Sequence, residues 1–187
     1  KIETVKSLRN ISLIVKKGES LAILGKNGSG KTTLLSLIGG SLRPERGKIV
    51  TKGSVFTLRG SNPGLIPTIS PRRNVIFLSS AYGVSKEKSL NFQLEVEEFC
   101  DLGDAFDRPY NTLSSGMAGR VGFGFTTSLD PEILLMDETL GVGDIEFRKK
   151  ATEKANLFME RGETVLLSTH SLNLAKSMCS RGIVLDG

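Results

Sequence analysis

Leu21-Ala22-Ile23-Leu24-Gly25-Lys26-Asn27-Gly28-Ser29-Gly30-Lys31-Thr32 carries the strongest structural signal in the sequence. Four apolar residues in a row form a candidate buried strand, and the eight that follow satisfy G-x-x-x-x-G-K-[ST]. Beyond them Leu34, Leu35, Leu37 and Ile38 recur at helical spacing until Gly39-Gly40 closes the pattern. Strand, glycine-rich loop and helix in immediate succession suit a polyphosphate: backbone N–H groups turn inward around it, and the helix adds its positive N-terminal end. Gly25, Lys26, Asn27, Gly28, Ser29 and Gly30 form this cradle. Lys31 can reach the β and γ oxygens of a nucleotide as a point charge, the Thr32 hydroxyl suits a Mg²⁺ shell that keeps most of its waters, and Thr33 supports it.

Ile133-Leu134-Leu135-Met136 is a second apolar strand, closed by Asp137-Glu138. A central parallel strand delivers acids in this way to the carboxyl edge of a sheet. Asp137 would hold Mg²⁺ through water, and Glu138 would orient or deprotonate an attacking water. Taken alone, the two acids fit a solvated strand end equally well. Thr164-Val165-Leu166-Leu167-Ser168 is a third strand and leads to Thr169-His170, the single histidine of the chain. A lone histidine is more often structural, but its place after a buried-looking strand favours a γ-phosphate contact. The segment from Asp144 to Met159 reads as a helix with Phe147, Ala151, Ala155 and Phe158 on one face and Asp144 as its cap. Alternation of strands and helices makes the core α/β.

Composition excludes several classes. With 187 residues, 39% apolar and 24% charged, the chain is neither a disordered tail nor a rod, and its length argues for one domain with a small appended part. The net charge of +5 is spread without a basic run, which speaks against nucleic-acid binding. No apolar stretch approaches the roughly 18 residues that cross a bilayer. Cys100 and Cys179, with no C-x-x-C, support neither a disulfide framework nor a zinc site, and a reducing compartment fits them best. The start at Lys1 and the stop at Gly187 suggest a chain trimmed at both ends.

Between the loop and the acids lies Leu113-Ser114-Ser115-Gly116-Met117. In isolation it is an ordinary Ser/Gly helix cap. In this order and spacing, the sequence resembles the ATP-binding-cassette (ABC) ATPases, in which a short L-S-G-G-Q-like signature precedes the acidic strand. The resemblance implies a P-loop NTPase (RecA-like) α/β parallel-sheet core with a helical subdomain at about residues 74–129. By that resemblance Gly25 to Thr32 is the Walker A loop, Asp137 ends the Walker B strand, Glu138 is the catalytic base, Asp144 the D-loop aspartate and His170 the switch histidine. Ser114, Ser115 and Gly116 would act on ATP held by the opposite subunit, so the ATP-bound form would be a head-to-tail homodimer.

Departures narrow the class. Ser114 to Met117 and the run from Val142 to Phe147, with a looser match at Pro71 to Asn74, resemble the subunits that power capsular polysaccharide, O-antigen and teichoic acid export. That implies a cassette bound through a membrane permease subunit at the cytoplasmic face, with no span of its own. A soluble ABC ATPase acting on the ribosome or DNA is the alternative. The chain's one glutamine, Gln93, falls far from the family's Q-loop near Ser61 to Leu65, leaving Ser61 or Asn62 as substitutes. No aromatic residue precedes Phe56, so adenine stacking falls to Ile2 or to residues upstream. Leu90, Phe92, Leu94, Val96 and Phe99 suggest the apolar side of a helix, and Leu65 to Asn74 with the following helix is the candidate permease contact.

Overall fold

A computed structural model describes residues 7–59, 64–137 and 144–186. Glu138, Ser61, Asn62, Ile2 and residues 142–143 of the exporter-like pattern lie outside the described residues. Along the chain run β1 (Ser20–Leu24), α1 (Lys31–Ile38), β2 (Val55–Arg59), α2 (Pro71–Ala81), α3 (Lys86–Cys100), α4 (Ser115–Ser128), β3 (Ile133–Asp137), α5 (Ile145–Glu160), β4 (Thr164–Thr169), α6 (Leu172–Met178) and β5 (Arg181–Val184). Two short 3-10 turns, Gly103–Asp107 and Tyr110–Thr112, sit between α3 and α4.

Among the described residues the strands form one sheet in the order β2-β3-β4-β1-β5. β4 pairs in parallel with both β3 and β1, and β1 pairs in parallel with β5. Every residue of β4 is buried, which explains why its sequence runs apolar instead of alternating. The register sets Asp137 opposite Ser168 and Leu24 opposite Thr169. The carboxyl ends of β3, β4 and β1 therefore finish level with one another.

The chain divides into two compact units. In the first, described over 7–57, 132–137 and 155–186, Leu21, Ile23, Leu34, Leu35, Leu135 and Leu166 make the core. Full burial of each such side chain contributes about 2 kcal/mol. This core fixes β1, α1, β3 and β4, the elements that carry the glycine loop and Asp137.

The second unit, described over 58–59, 64–131 and 144–154, is mainly helical. Its core includes Val75, Phe92, Val96, Cys100, Phe106, Val121 and Phe125. Phe125 meets Phe92 and Tyr82 edge-on at 5.6 and 5.7 Å, while Phe99 stacks on Phe123 at 5.5 Å with Phe147 edge-on to both. The apolar side expected for α3 is corrected here: Leu90 and Leu94 are 62% and 51% exposed, whereas Phe92, Val96 and Cys100 are buried, with Gln93 beside them. Two residues along a helix turn the side chain by about 200°, so the two apolar stripes face opposite ways and only one can meet the core.

Two polar clamps shape this unit. Arg72 donates to both Glu97 oxygens at 2.6 and 2.5 Å and to Asp107 at 2.7 Å, and lies 5.3 Å over the Phe106 ring. Asp107 and Glu97 hold the guanidinium charged more firmly, and Arg72 in turn holds the Asp107 carboxyl below its usual range. Asn74 is fully buried: its Oδ1 accepts from the Ile66 N–H at 2.6 Å, and its amide donates to the carbonyls of Ile66, Ile69 and Ser70 at 3.0, 3.3 and 3.2 Å. One side chain thereby ties the 66–70 loop to the start of α2. Among the described residues no helix is long and apolar enough to cross a membrane.

Candidate nucleotide-binding site

The loop between β1 and α1 is built so that its backbone can close on an anion. Gly30 starts α1 with φ at +94°, a conformation that side chains disfavour, and a Cβ there would lie 2.6 Å from the Leu8 side chain and 2.8 Å from the Ser7 carbonyl. At Gly25 space alone decides: a Cβ would lie 2.4 Å from the Ser29 hydroxyl and 2.7 Å from the Leu185 carbonyl. Among the described residues no side chain caps the N-terminus of α1, so its first-turn N–H groups, those of Lys31, Thr32 and Thr33, have no acceptor there within the helix or from a cap.

Lys31 is 6% exposed, and its ammonium donates to the Gly25 carbonyl at 2.7 Å and the Lys26 carbonyl at 3.0 Å. Two of its three donors thus brace the loop and one remains for a phosphate oxygen. Ser29 has a buried hydroxyl oxygen with no hydrogen-bond partner among the described residues. An orphaned polar atom inside a glycine cradle fits an anionic ligand, since leaving such a group unpaired costs about 1–3 kcal/mol. Asn27 and Gly28 complete the turn, and Gly28 has open space around it.

Asp137 ends β3 at the level where β1 hands over to the loop. Its Oδ1 accepts a short hydrogen bond from the Ser168 hydroxyl of β4. His170 follows β4 and is exposed. The first unit therefore holds Gly25 to Thr33, Asp137 and His170 on elements that finish at the carboxyl edge of a single sheet. Thr32 and Asp137 offer a hydroxyl and a carboxylate, the hard oxygen donors that suit Mg²⁺, an ion satisfied by one or two protein ligands with phosphates and waters.

In the second unit Ser114 caps α4, accepting from the Met117 N–H at 3.2 Å. The cap uses an oxygen lone pair, so the hydroxyl proton stays available to an acceptor beyond the helix, as do the N–H groups of Ser115 and Gly116. Asp144 accepts from the Phe147 N–H at 2.9 Å at the start of α5 and pairs with Arg120 of α4. That N–H, and then the guanidinium, hold its carboxyl below the usual range. Arg120 lies 5.3 Å over the Phe147 ring. Sequence reasoning missed Arg120 and Ser168; Arg120 is signalled only by lying one and a half turns into the helix that the signature opens.

Parallel sheet, glycine loop at a helix N-terminus and a carboxylate on a neighbouring strand together define a P-loop nucleotide-binding fold. The chain belongs to the ABC transporter family, whose model matches residues 8–141. It is 38% identical to the polysialic acid transport ATP-binding protein KpsT of Escherichia coli, over 94% of this chain and 78% of that protein. It is 40% identical to the teichoic acids export ATP-binding protein TagH of Bacillus cereus, over 96% of this chain and 32% of TagH, so it spans about a third of that relative's length. The O-antigen export ATP-binding protein RfbB of Klebsiella pneumoniae is 32% identical over 96% of this chain and 73% of its own length. Among solved structures, the dimeric post-hydrolysis ATP-binding cassette MJ0796 bound to ADP and Pi superposes with a TM-score of 0.83 at 26% identity, covering 96% of this chain and 86% of that one.

Proposed function

We propose that this chain is the ATP-binding and hydrolysing cassette of a transporter that exports a lipid-linked polysaccharide or teichoic acid through a membrane permease. The observation that carries the reading is the glycine cradle braced by Lys31 beside Asp137 on one sheet edge, in a chain 38% identical to an ATP-binding protein of polysialic acid transport. The Gly25 to Gly30 amides and Lys31 bind and orient the triphosphate, while Thr32 and Asp137 are the donors for Mg²⁺. A Mg²⁺ ion held by these donors would neutralise phosphate charge as it develops.

Glu138, next in the chain after Asp137, accepts the proton of the water that attacks the γ-phosphorus, and the phosphorus–oxygen bond to ADP breaks as inorganic phosphate forms. His170 contacts the γ-phosphate. Ser114, Ser115 and Gly116 donate to the γ-phosphate held by a second copy, with Asp144 beside them, so ATP closes a homodimer and hydrolysis opens it. The cassette works at the cytoplasmic face of the membrane, attached through its permease. A surface on α2 with Ile76 and Phe77 exposed beside Arg73 and Ser80 suits that contact.

The test is Lys31→Ala. Loss of a charged phosphate contact worth about 1.5–3 kcal/mol weakens binding of a fluorescent ATP analogue roughly 10- to 100-fold. In cells carrying this change, lipid-linked glycan accumulates on the cytoplasmic side and surface glycan falls. Unchanged affinity together with unchanged surface glycan would overturn the reading.

A further inference from the structure

Ser168 is fully buried in β4, directly opposite Asp137 in the β3–β4 register. Among the described residues its hydroxyl makes one hydrogen bond, a short one to Asp137 Oδ1. Every neighbour along β4 from Val165 to Leu167 is apolar and buried. A hydroxyl placed there costs free energy unless it is paired, and the carboxylate is its partner.

We infer that Ser168 is a positioning residue for the metal-binding carboxylate: its O–H occupies Oδ1 and fixes the carboxylate plane, leaving the other oxygen, Oδ2, to serve the ion's shell, through water as the sequence implies. This rests on the reading of Asp137 as a Mg²⁺ donor. A carboxylate at the end of a strand is free to rotate about its last torsion, which has broad minima. A hydrogen bond from the adjacent strand removes that freedom before the ion arrives. Outer partners of this kind, when mutated, typically cost 10- to 100-fold in metal affinity.

Ser168→Thr and Ser168→Val separate the hydroxyl from packing, because the two side chains have the same shape and differ in the O–H alone. Ser168→Ala adds no volume and serves if the larger residues do not fold. The readout is binding of a fluorescent ATP analogue to the full chain, first in EDTA and then during titration with MgCl₂. In EDTA all variants should match the unsubstituted chain within about twofold. The Mg²⁺ concentration giving half of the metal-dependent gain should rise about tenfold or more in the Val and Ala variants and stay unchanged in Thr.

Coincident Mg²⁺ curves for Thr and Val, or for Ser and Ala, would overturn the proposal. So would a lowered melting temperature in Val with no change in Mg²⁺ requirement, the mark of a purely structural hydroxyl. If the unsubstituted chain failed to bind the analogue at all, the nucleotide reading would fall first and the proposal with it.

Discussion

Asn74→Ala tests the clamp that shapes the entry to α2. The substitution strips a hydrogen-bond acceptor from the Ile66 N–H and two donors from the carbonyls of Ile66, Ile69 and Ser70. The orphaned N–H dominates, because a carbonyl keeps a second lone pair that nearby water can reach. An unsatisfied donor costs about 1–3 kcal/mol, and Ile66 is half-buried, which places that part near the middle of the range. Adding the weakened carbonyl contacts and the small void left in a fully buried position gives about 2–3 kcal/mol in total. For a chain of this size that lowers the melting temperature by about 5–10 °C. Thermal unfolding followed by circular dichroism measures the global effect, and amide hydrogen exchange at Ile66 should accelerate tenfold or more if the loop itself is released. Leu94→Ala on the exposed face of α3 is the control and should stay within about 0.5 kcal/mol. An Asn74→Ala protein that melts within 2 °C of the parent, with Ile66 exchange unchanged, would refute the claim that this side chain holds the loop.

Acid should weaken the fold through Asp107 and Asp144, whose carboxyls are held below their ordinary value, by Arg72 and by the Phe147 N–H respectively. A depressed folded pKa contributes stability that is complete above the unfolded value of about 4 and drains away as pH falls through the folded value. The urea midpoint should therefore be level from pH 6 to 8 and fall below pH 4, with a shallower fall in Asp144→Ala; an identical acid limb in that variant would contradict the assignment. Burial pushes the Cys179 thiol up to about 11, so at pH 8 only about one molecule in a thousand carries the thiolate. Iodoacetamide should alkylate it more than tenfold more slowly than glutathione, and equal rates would show the site to be open.

The parts of the site set by local chemistry were legible in the sequence. A glycine loop between an apolar strand and a helix can be read from Leu21 to Ile38 because residue type, spacing and context all lie within eighteen consecutive positions. The same holds for Asp137 at the end of an apolar strand and for Asp144 as a helix cap, which the structure shows accepting from Phe147. Strand order was not legible, since it depends on which distant segments pair. Ser168 was hidden for that reason: in Thr164-Val165-Leu166-Leu167-Ser168 it reads as the polar end of a strand, and only the cross-strand register reveals Asp137 opposite. Leu90 and Leu94 misled because both stripes of α3 are apolar, and periodicity cannot say which one the neighbouring helices cover. Arg120 acts through a residue twenty-four positions away, beyond any local pattern.

In the proposed dimer, triphosphate bound at Lys31 of one chain is completed by Ser114 of another. Sedimentation velocity of the Glu138→Gln chain at saturating MgATP is the decisive measurement, because removal of the proposed base should leave ATP intact and the closed form in place. The expected species is a dimer that returns to monomer when ADP replaces ATP, and a monomer throughout when Ser114→Arg is added. A Glu138→Gln chain that binds ATP yet stays monomeric, or a dimer indifferent to Ser114→Arg, would contradict it.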